Sequence, residues 1–205
     1  MSIPDDVDGR VTQLFALVSE ALAGATQALL DEDRELGQRV VDGDRLIDEL
    51  TSQVEQSIWE GIGTDSSDVD RLRHAVGMLL ILPELERSAD LAEHIAQRAL
   101  TDTGGEMTSV SRGIVQRMSE VALAMWNAAT SAYAQRSAQG VELDEADEEL
   151  DVLHERLSNE VAAGAMSAPV AAQVTLLSRF YERLGDHAVN LGRRIETLPT
   201  SQHVR

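Results

Sequence analysis

Residues 7–30 read VDGRVTQLFALVSEALAGATQALL, and Val7, Val11, Leu14, Val18, Leu22, Ala25 and Leu29 recur there at three- and four-residue steps. A helix brings residues so spaced onto one face, so the stretch predicts an amphipathic α-helix with a single buried stripe. The same spacing runs through nearly all of the 205 residues, and the alternation of a half-buried strand appears nowhere. Breaks fall at Asp31-Glu32-Asp33, from Gly61 to Asp68, from Thr101 to Gly105, at Gln139-Gly140, and at Ser167-Ala168-Pro169. Asp, Ser, Gly and Pro are the residues that end one helix or cap the next. Six helices are expected, over 6–30, 33–60, 67–101, 106–138, 142–164 and 168–197, with a frayed tail at 198–205.

The charge is lopsided. Seventeen Arg and no Lys stand against 36 Asp and Glu, a formal net charge of −19. Phosphate backbones and anionic lipid surfaces would repel such a chain, so neither nucleic acid nor an electrostatic membrane contact is expected. The excess is uneven, with 22 acids and 8 Arg in residues 1–102 against 14 acids and 9 Arg in 103–205. Basic partner surfaces should therefore favour the first half, with a stronger salt dependence there. With no cysteine there are no disulfides and no thiolate metal sites. The first ten residues hold three Asp and no apolar core, unlike a signal peptide. The longest unbroken apolar run is Ala75 to Leu82, so no membrane insertion is expected, and the cytoplasm is the expected setting. No phosphate loop, nucleophile elbow or His-Glu-x-x-His motif is present, and an enzyme is not expected.

Three helices on each side of the break at 101–105 raise the question of a repeat. A shift of 103 residues places Val7 on Val110, Val11 on Ile114 and Leu22 on Met125; in the second helix it places Ile47 on Leu150 and Val54 on Leu157. The third helix needs a shift of 96, and the seven-residue difference falls in the run 61–68, where an insertion is cheap. Apolar stripes align easily, so the polar matches are more telling. Glu86-Arg87-x-x-Asp90 falls on Glu182-Arg183-x-x-Asp186, His94 on Asn190, and Asp44 and Asp48 on Asp147 and Asp151.

Each half thus has two acidic pairs at i,i+4, on its second and third helices, on the shoulder of the apolar stripe. Residues four apart lie one above the other, and like charges there destabilise a helix. In a chain with 36 acids such pairs arise by chance and usually form a solvated face. A compensating cation would explain why they recur at one place in both halves. Carboxylates suit hard ions such as magnesium, manganese or calcium, and with an imidazole also iron or zinc. Of the five histidines only His94 continues an acidic ladder; His187 points about 100° away from Asp186 and should pack or be solvated. No Glu-x-x-His is present, so a ferritin-like oxidase is not expected.

The run from Arg179 to Asn190, RFYERLGDHAVN, resembles the signature of the PhoU family, phosphate-signalling regulators of bacteria. Leu85 to Ala96, LERSADLAEHIA, resembles its first-half copy, and Asp31-x-Asp33 and Gly43-Asp44-x-x-Ile47-Asp48-x-Leu50 also match. The resemblance extends over about residues 10–197. It implies an all-α fold of two tandem pseudo-symmetric three-helix bundles, at 6–101 and 106–197, usually dimeric. It implies no catalysis, and a role in holding the phosphate-starvation response off, with a phosphate ABC transporter ATPase and a sensor histidine kinase as partners. Its alternatives are an accessory protein of another transporter, a metabolic or persistence regulator, or a carboxylate-bridged metal enzyme. Carried across, its divalent-metal sites (iron, zinc, manganese or magnesium) are Asp147, Asp151, Glu182, Asp186 and Asn190 in the second half. In the first half they are Asp44, Asp48, Glu86 and Asp90 with His94. His94 stands where Asn or Asp is usual, and Ser88-Ala89 replaces an apolar residue and Gly, so the second site is expected to bind better. Asp186→Asn should then weaken metal binding in the second bundle with little change in helix content, read by metal titration alongside circular dichroism.

Overall fold

The computed structural model describes residues 7–64, 68–101, 103–135 and 140–199. They form seven helices: α1 Val7–Asp31, α2 Arg34–Thr64, α3 Val69–Ala99, α4 Thr103–Glu106, α5 Ser109–Gln135, α6 Gly140–Ala162 and α7 Ala168–Glu196. No strand occurs among the described residues. Helices α1, α2 and α3 pack into one three-helix bundle and α5, α6 and α7 into another. Between the bundles α1 packs on α5, and α3 on α7. Each of these helices therefore meets its own repeat equivalent, as a pseudo-two-fold relation requires. The acid-bearing helices α2 and α6 lie to the outside, each against its own bundle.

The α1 stripe is buried as its spacing predicts, and the core formed with it is continuous through both bundles. Phe15 of α1 stacks on Tyr133 of α5 at 5.1 Å between ring centroids and tilts against Trp126 at 6.2 Å. Among the described residues α1 alone has the length and apolar content of a membrane span. The unbroken-run criterion missed it because its charges are spaced out; its apolar stripe is spent on the core.

The turns follow local chemistry. Glu32 takes a positive φ of 59° at the end of α1, and the Asp33 carboxylate accepts from the Leu36 amide at 2.9 Å to start α2. Asp68 caps α3, accepting from the amides of Asp70 and Arg71 at 3.0 and 3.2 Å. Several boundaries differ from the sequence reading, three of them with a visible cause or consequence. Helix α2 continues through Gly61 and Gly63 to Thr64; residues 65–67 of the expected loop lie outside the described residues. A short helix, α4, fills the central break, and a Cβ on Gly104 would sit 2.0 Å from the Leu29 carbonyl oxygen. Leu198, assigned to a frayed tail, is buried, its Cδ2 lying 2.3 Å from where a Cβ on Gly77 would be. Residues 200–205 of that tail lie outside the described residues.

Polar contacts fix how the bundles meet. Arg112 of α5 donates to the Leu30 carbonyl at the end of α1 and, at 2.7 Å, to the Gly104 carbonyl. The Thr26 and Tyr181 hydroxyls share a buried hydrogen bond of 2.8 Å between α1 and α7. Glu84 of α3, its side chain only 5% exposed, meets His187 Nδ1 at 2.6 Å and accepts from Arg194 Nη2 at 2.8 Å, both on α7. Removing one partner of a buried pair leaves a charge without compensation, whereas replacing both by apolar groups is often tolerated. Arg194→Leu should therefore destabilise the fold by about 2–4 kcal/mol, allowing for its partial exposure. Adding Glu84→Leu should recover most of the loss; urea unfolding midpoints of the three proteins check this.

Candidate functional site

Helices α2 and α3 bring Asp44, Asp48 and Asp90 together, with one carboxylate oxygen from each within 4.8 Å of the others. Four-residue spacing puts Asp44 above Asp48 on α2, and the packing of α3 sets Asp90 between them. Asp44 Oδ1 is buried and has no hydrogen-bond partner. Burial, and then the charges of Asp48, Asp90, Glu93 and Glu86, push the Asp44 carboxyl up to about 6. Glu86 is also raised, by burial and then by Asp90 and Asp48. It joins the same acidic field but not the three-carboxylate contact.

His94 is placed elsewhere. Its ring stacks on Phe180 of α7 at 5.4 Å, its Nδ1 buried without a hydrogen-bond partner. Arg98, one turn on, lies over the same ring at 4.9 Å. Spacing put His94 in line with Asp90; the approach of α7 turns it into a seam residue.

In the second half Asp147 is half-buried. Burial, and then Asp186, Asp151 and Asp144, push its carboxyl up to about 6, with Arg193 opposing them. A Cβ on Gly185 would lie 2.8 Å from Asp147 Oδ1 and 2.6 Å from Leu150 Cδ1, so glycine lets α6 and α7 approach at the ladder. Glu182 is paired with Arg179, and Arg193 lies 3.6 Å from Asp144. Asn190 is half-buried on α7. Among the described residues the three-carboxylate contact occurs in the first half alone. At the shift of 96, Arg179 and Arg193 fall on Pro83 and Gln97, which bear no charge. The second ladder has these additional cations; beside the first, Arg87 offsets part of the charge on Glu86.

The first cluster fits a hard divalent cation. Its donors are carboxylate oxygens, one of them orphaned and desolvated, and mutual repulsion is the cost such an ion would remove. Among the described residues the other histidines are engaged with neighbours: His187 with Glu84, His154 with the buried Ser178 at 2.6 Å, and His74 with Asp8 at 3.3 Å. The Glu84–His187–Arg194 contact was not anticipated; an i,i+3 or i,i+4 pattern does not show which helix packs opposite.

Folded Asp44 and Asp147 hold their protons up to about 6, whereas unfolded carboxylates release theirs near 3.8. Between these limits the folded state binds more protons than the unfolded one, so stability falls as pH rises through the window. Asp44→Asn, which cannot ionise, should raise the metal-free melting temperature at about pH 7.5 and lose that advantage by about pH 4. Thermal melts across the window check this.

A PhoU domain family model matches residues 11–99 and 115–195, one copy in each bundle. The chain is 27% identical over 197 residues to the phosphate-specific transport system accessory protein PhoU homolog of Rhizobium meliloti, covering 93% of this chain and 83% of that one. It is 29% identical over 194 residues to the PhoU homolog 2 of that description from Mycobacterium tuberculosis, covering 93% and 91%. The fold resembles PhoU of Pseudomonas aeruginosa, with a TM-score of 0.87 at 22% identity over 95% of both chains. It also resembles the phosphate transport system regulatory protein PhoU of Streptococcus pneumoniae, with a TM-score of 0.83 at 22% identity over 98% and 96%. Family-model matches in both bundles, and relatives aligned over nearly the whole chain, establish that this protein belongs to the PhoU family.

Proposed function

We propose that this protein restrains phosphate uptake and phosphate-starvation signalling, linking a phosphate ABC transporter, through its ATPase, to a sensor histidine kinase. The observation that supports this most is the near full-length alignment with proteins named as accessory to phosphate-specific transport. The role is read as non-enzymatic. Among the described residues the Ser–His contact, Ser178 with His154, has its serine 1% exposed and out of reach of a substrate. The setting is read as cytoplasmic and the assembly as a homodimer.

A divalent cation belongs to the same reading. Asp44, Asp48 and Asp90 would hold it in the first half, with Glu86 in the surrounding field. Asp147, Asp151 and Asp186 would offer a second, weaker position, because Arg179 and Arg193 already offset part of the charge there. The ion would supply charge neutralisation and lock α2 against α3. Oxygen-only donors favour manganese or magnesium over zinc.

Deleting the gene should derepress a phosphate-starvation reporter in phosphate-rich medium, and wild-type protein supplied in trans should restore repression. Affinity capture under the same conditions should recover the transporter ATPase. A reporter that stays repressed in the deletion strain, with no ATPase recovered, would contradict the reading.

A further inference from the structure

The outward face of α3 is apolar where a bundle helix ordinarily meets water with polar side chains. Val69, Leu72, Val76 and Leu80 are 57, 36, 46 and 47% exposed. Their spacing of three, four and four puts them within about 80° of one another on the helix. The Leu79 and Pro83 side chains, partly buried, continue the surface. Such a contiguous patch marks an interaction site more often than scattered exposed residues do.

The edge of this stripe nearest α2 is acidic. Glu55 lies close enough to Glu86 to raise its carboxyl, and the Trp59 indole, 57% exposed, donates to Glu55 at 3.3 Å. Asp44 lies near Asp90, and Glu55 near Glu86, so α2 runs opposite to α3. Trp59, one turn beyond Glu55, therefore stands level with Leu79 to Pro83, beside the stripe. The cations near the start of the stripe are already engaged, Arg73 with Asp70 at 2.9 Å and Arg71 with Asp68 at 3.5 Å. Arg87 is the basic residue at its other end, next to Glu86 and Asp90. Pairing this face with itself in a second copy would set acid against acid, because residues 1–102 hold 22 acids and 8 Arg.

We infer that Val69, Leu72, Val76 and Leu80, with Trp59 and the Glu55–Glu86 edge, form a docking surface for a partner's amphipathic helix whose aliphatic stripe is flanked by Lys or Arg. The aliphatic side chains fill the stripe, and a partner cation meets both carboxylates and the face of Trp59. Glu55 and Glu86 lie outside the Asp44–Asp48–Asp90 contact, although Glu86 adds to the field on Asp44.

The test uses two synthetic helical peptides of about 18 residues, each with a leucine stripe flanked on one side by Lys in one and by Glu in the other. Trp126 is fully buried, so a change in tryptophan emission reports on Trp59. The Lys peptide should bind at least about tenfold more tightly than the Glu peptide, and V76S/L80Q should weaken it by about tenfold. E55Q/E86Q, at exposed positions that leave the fold intact, should remove the preference between the peptides even if V76S/L80Q melts early. Absence of binding, equal binding of both peptides, or a preference unchanged in E55Q/E86Q would overturn the inference. So would a wild-type dimer, seen by sedimentation, that V76S/L80Q converts to monomers. None of these outcomes bears on the transporter link, which the reporter assay tests separately.

Discussion

A buried carboxylate holds the two bundles in register. Glu84 lies in the α3–α7 seam with His187 on one oxygen and Arg194 on the other. A buried charge is costly unless it is paired, so this contact admits few relative positions of the two helices. Those same turns of α3 and α7 bear the ladders: Glu86 is two residues from Glu84, and Asp186 immediately precedes His187. Whatever moves a ladder therefore acts on the seam as well. At the repeat shift of 96, Arg194 corresponds to Arg98 and Glu84 to Phe180. Where one side has an ion pair the other has a guanidinium over a ring, and burial lowers the Arg98 pKa.

That asymmetry continues into the acidic sites. Both halves keep two carboxylates on the outer helix and two on the seam helix. The second half adds Arg179 on Glu182 and Arg193 near Asp144, where the first has Arg87 beside Glu86. Its ladder is partly neutralised, whereas Asp44, Asp48 and Asp90 press against one another with one oxygen orphaned. In the proposed reading the first half is the stronger cation site, the reverse of the order implied by likeness to the family motif. In the proposed role, a regulator with one occupied and one self-compensated site would respond to a single ion through the α2–α3 contact.

The fold was legible because helix spacing is a local property. The stripe from Val7 to Leu29, the Asp68 cap and the turn at Asp31 to Asp33 all follow from short-range chemistry. The two-bundle architecture followed from registering Glu86-Arg87-x-x-Asp90 on Glu182-Arg183-x-x-Asp186. Helix α4 was not legible, because Gly104 and Gly105 have poor helix propensity and only the Leu29 carbonyl and Arg112 explain their placement. The extension of α2 through Gly61 has a similar cause, since tertiary burial outweighs the cost of glycine. The ladder acids were legible as a set, but their partners were not. His94 belongs to the seam because of Phe180, which is 86 positions away in sequence and on no shared pattern. The neutralising arginines could have been read, since Pro83 and Gln97 stand in their places in the first half.

Under the proposed function, repulsion among Asp44, Asp48 and Asp90 would make the first bundle a cation site. Calorimetric titration of chelator-stripped protein with manganese tests it most directly. Saturable binding is expected, its tightest event lost in Asp90→Asn and kept in Asp186→Asn. Binding that is absent, or that survives Asp90→Asn and disappears in Asp186→Asn, would contradict it.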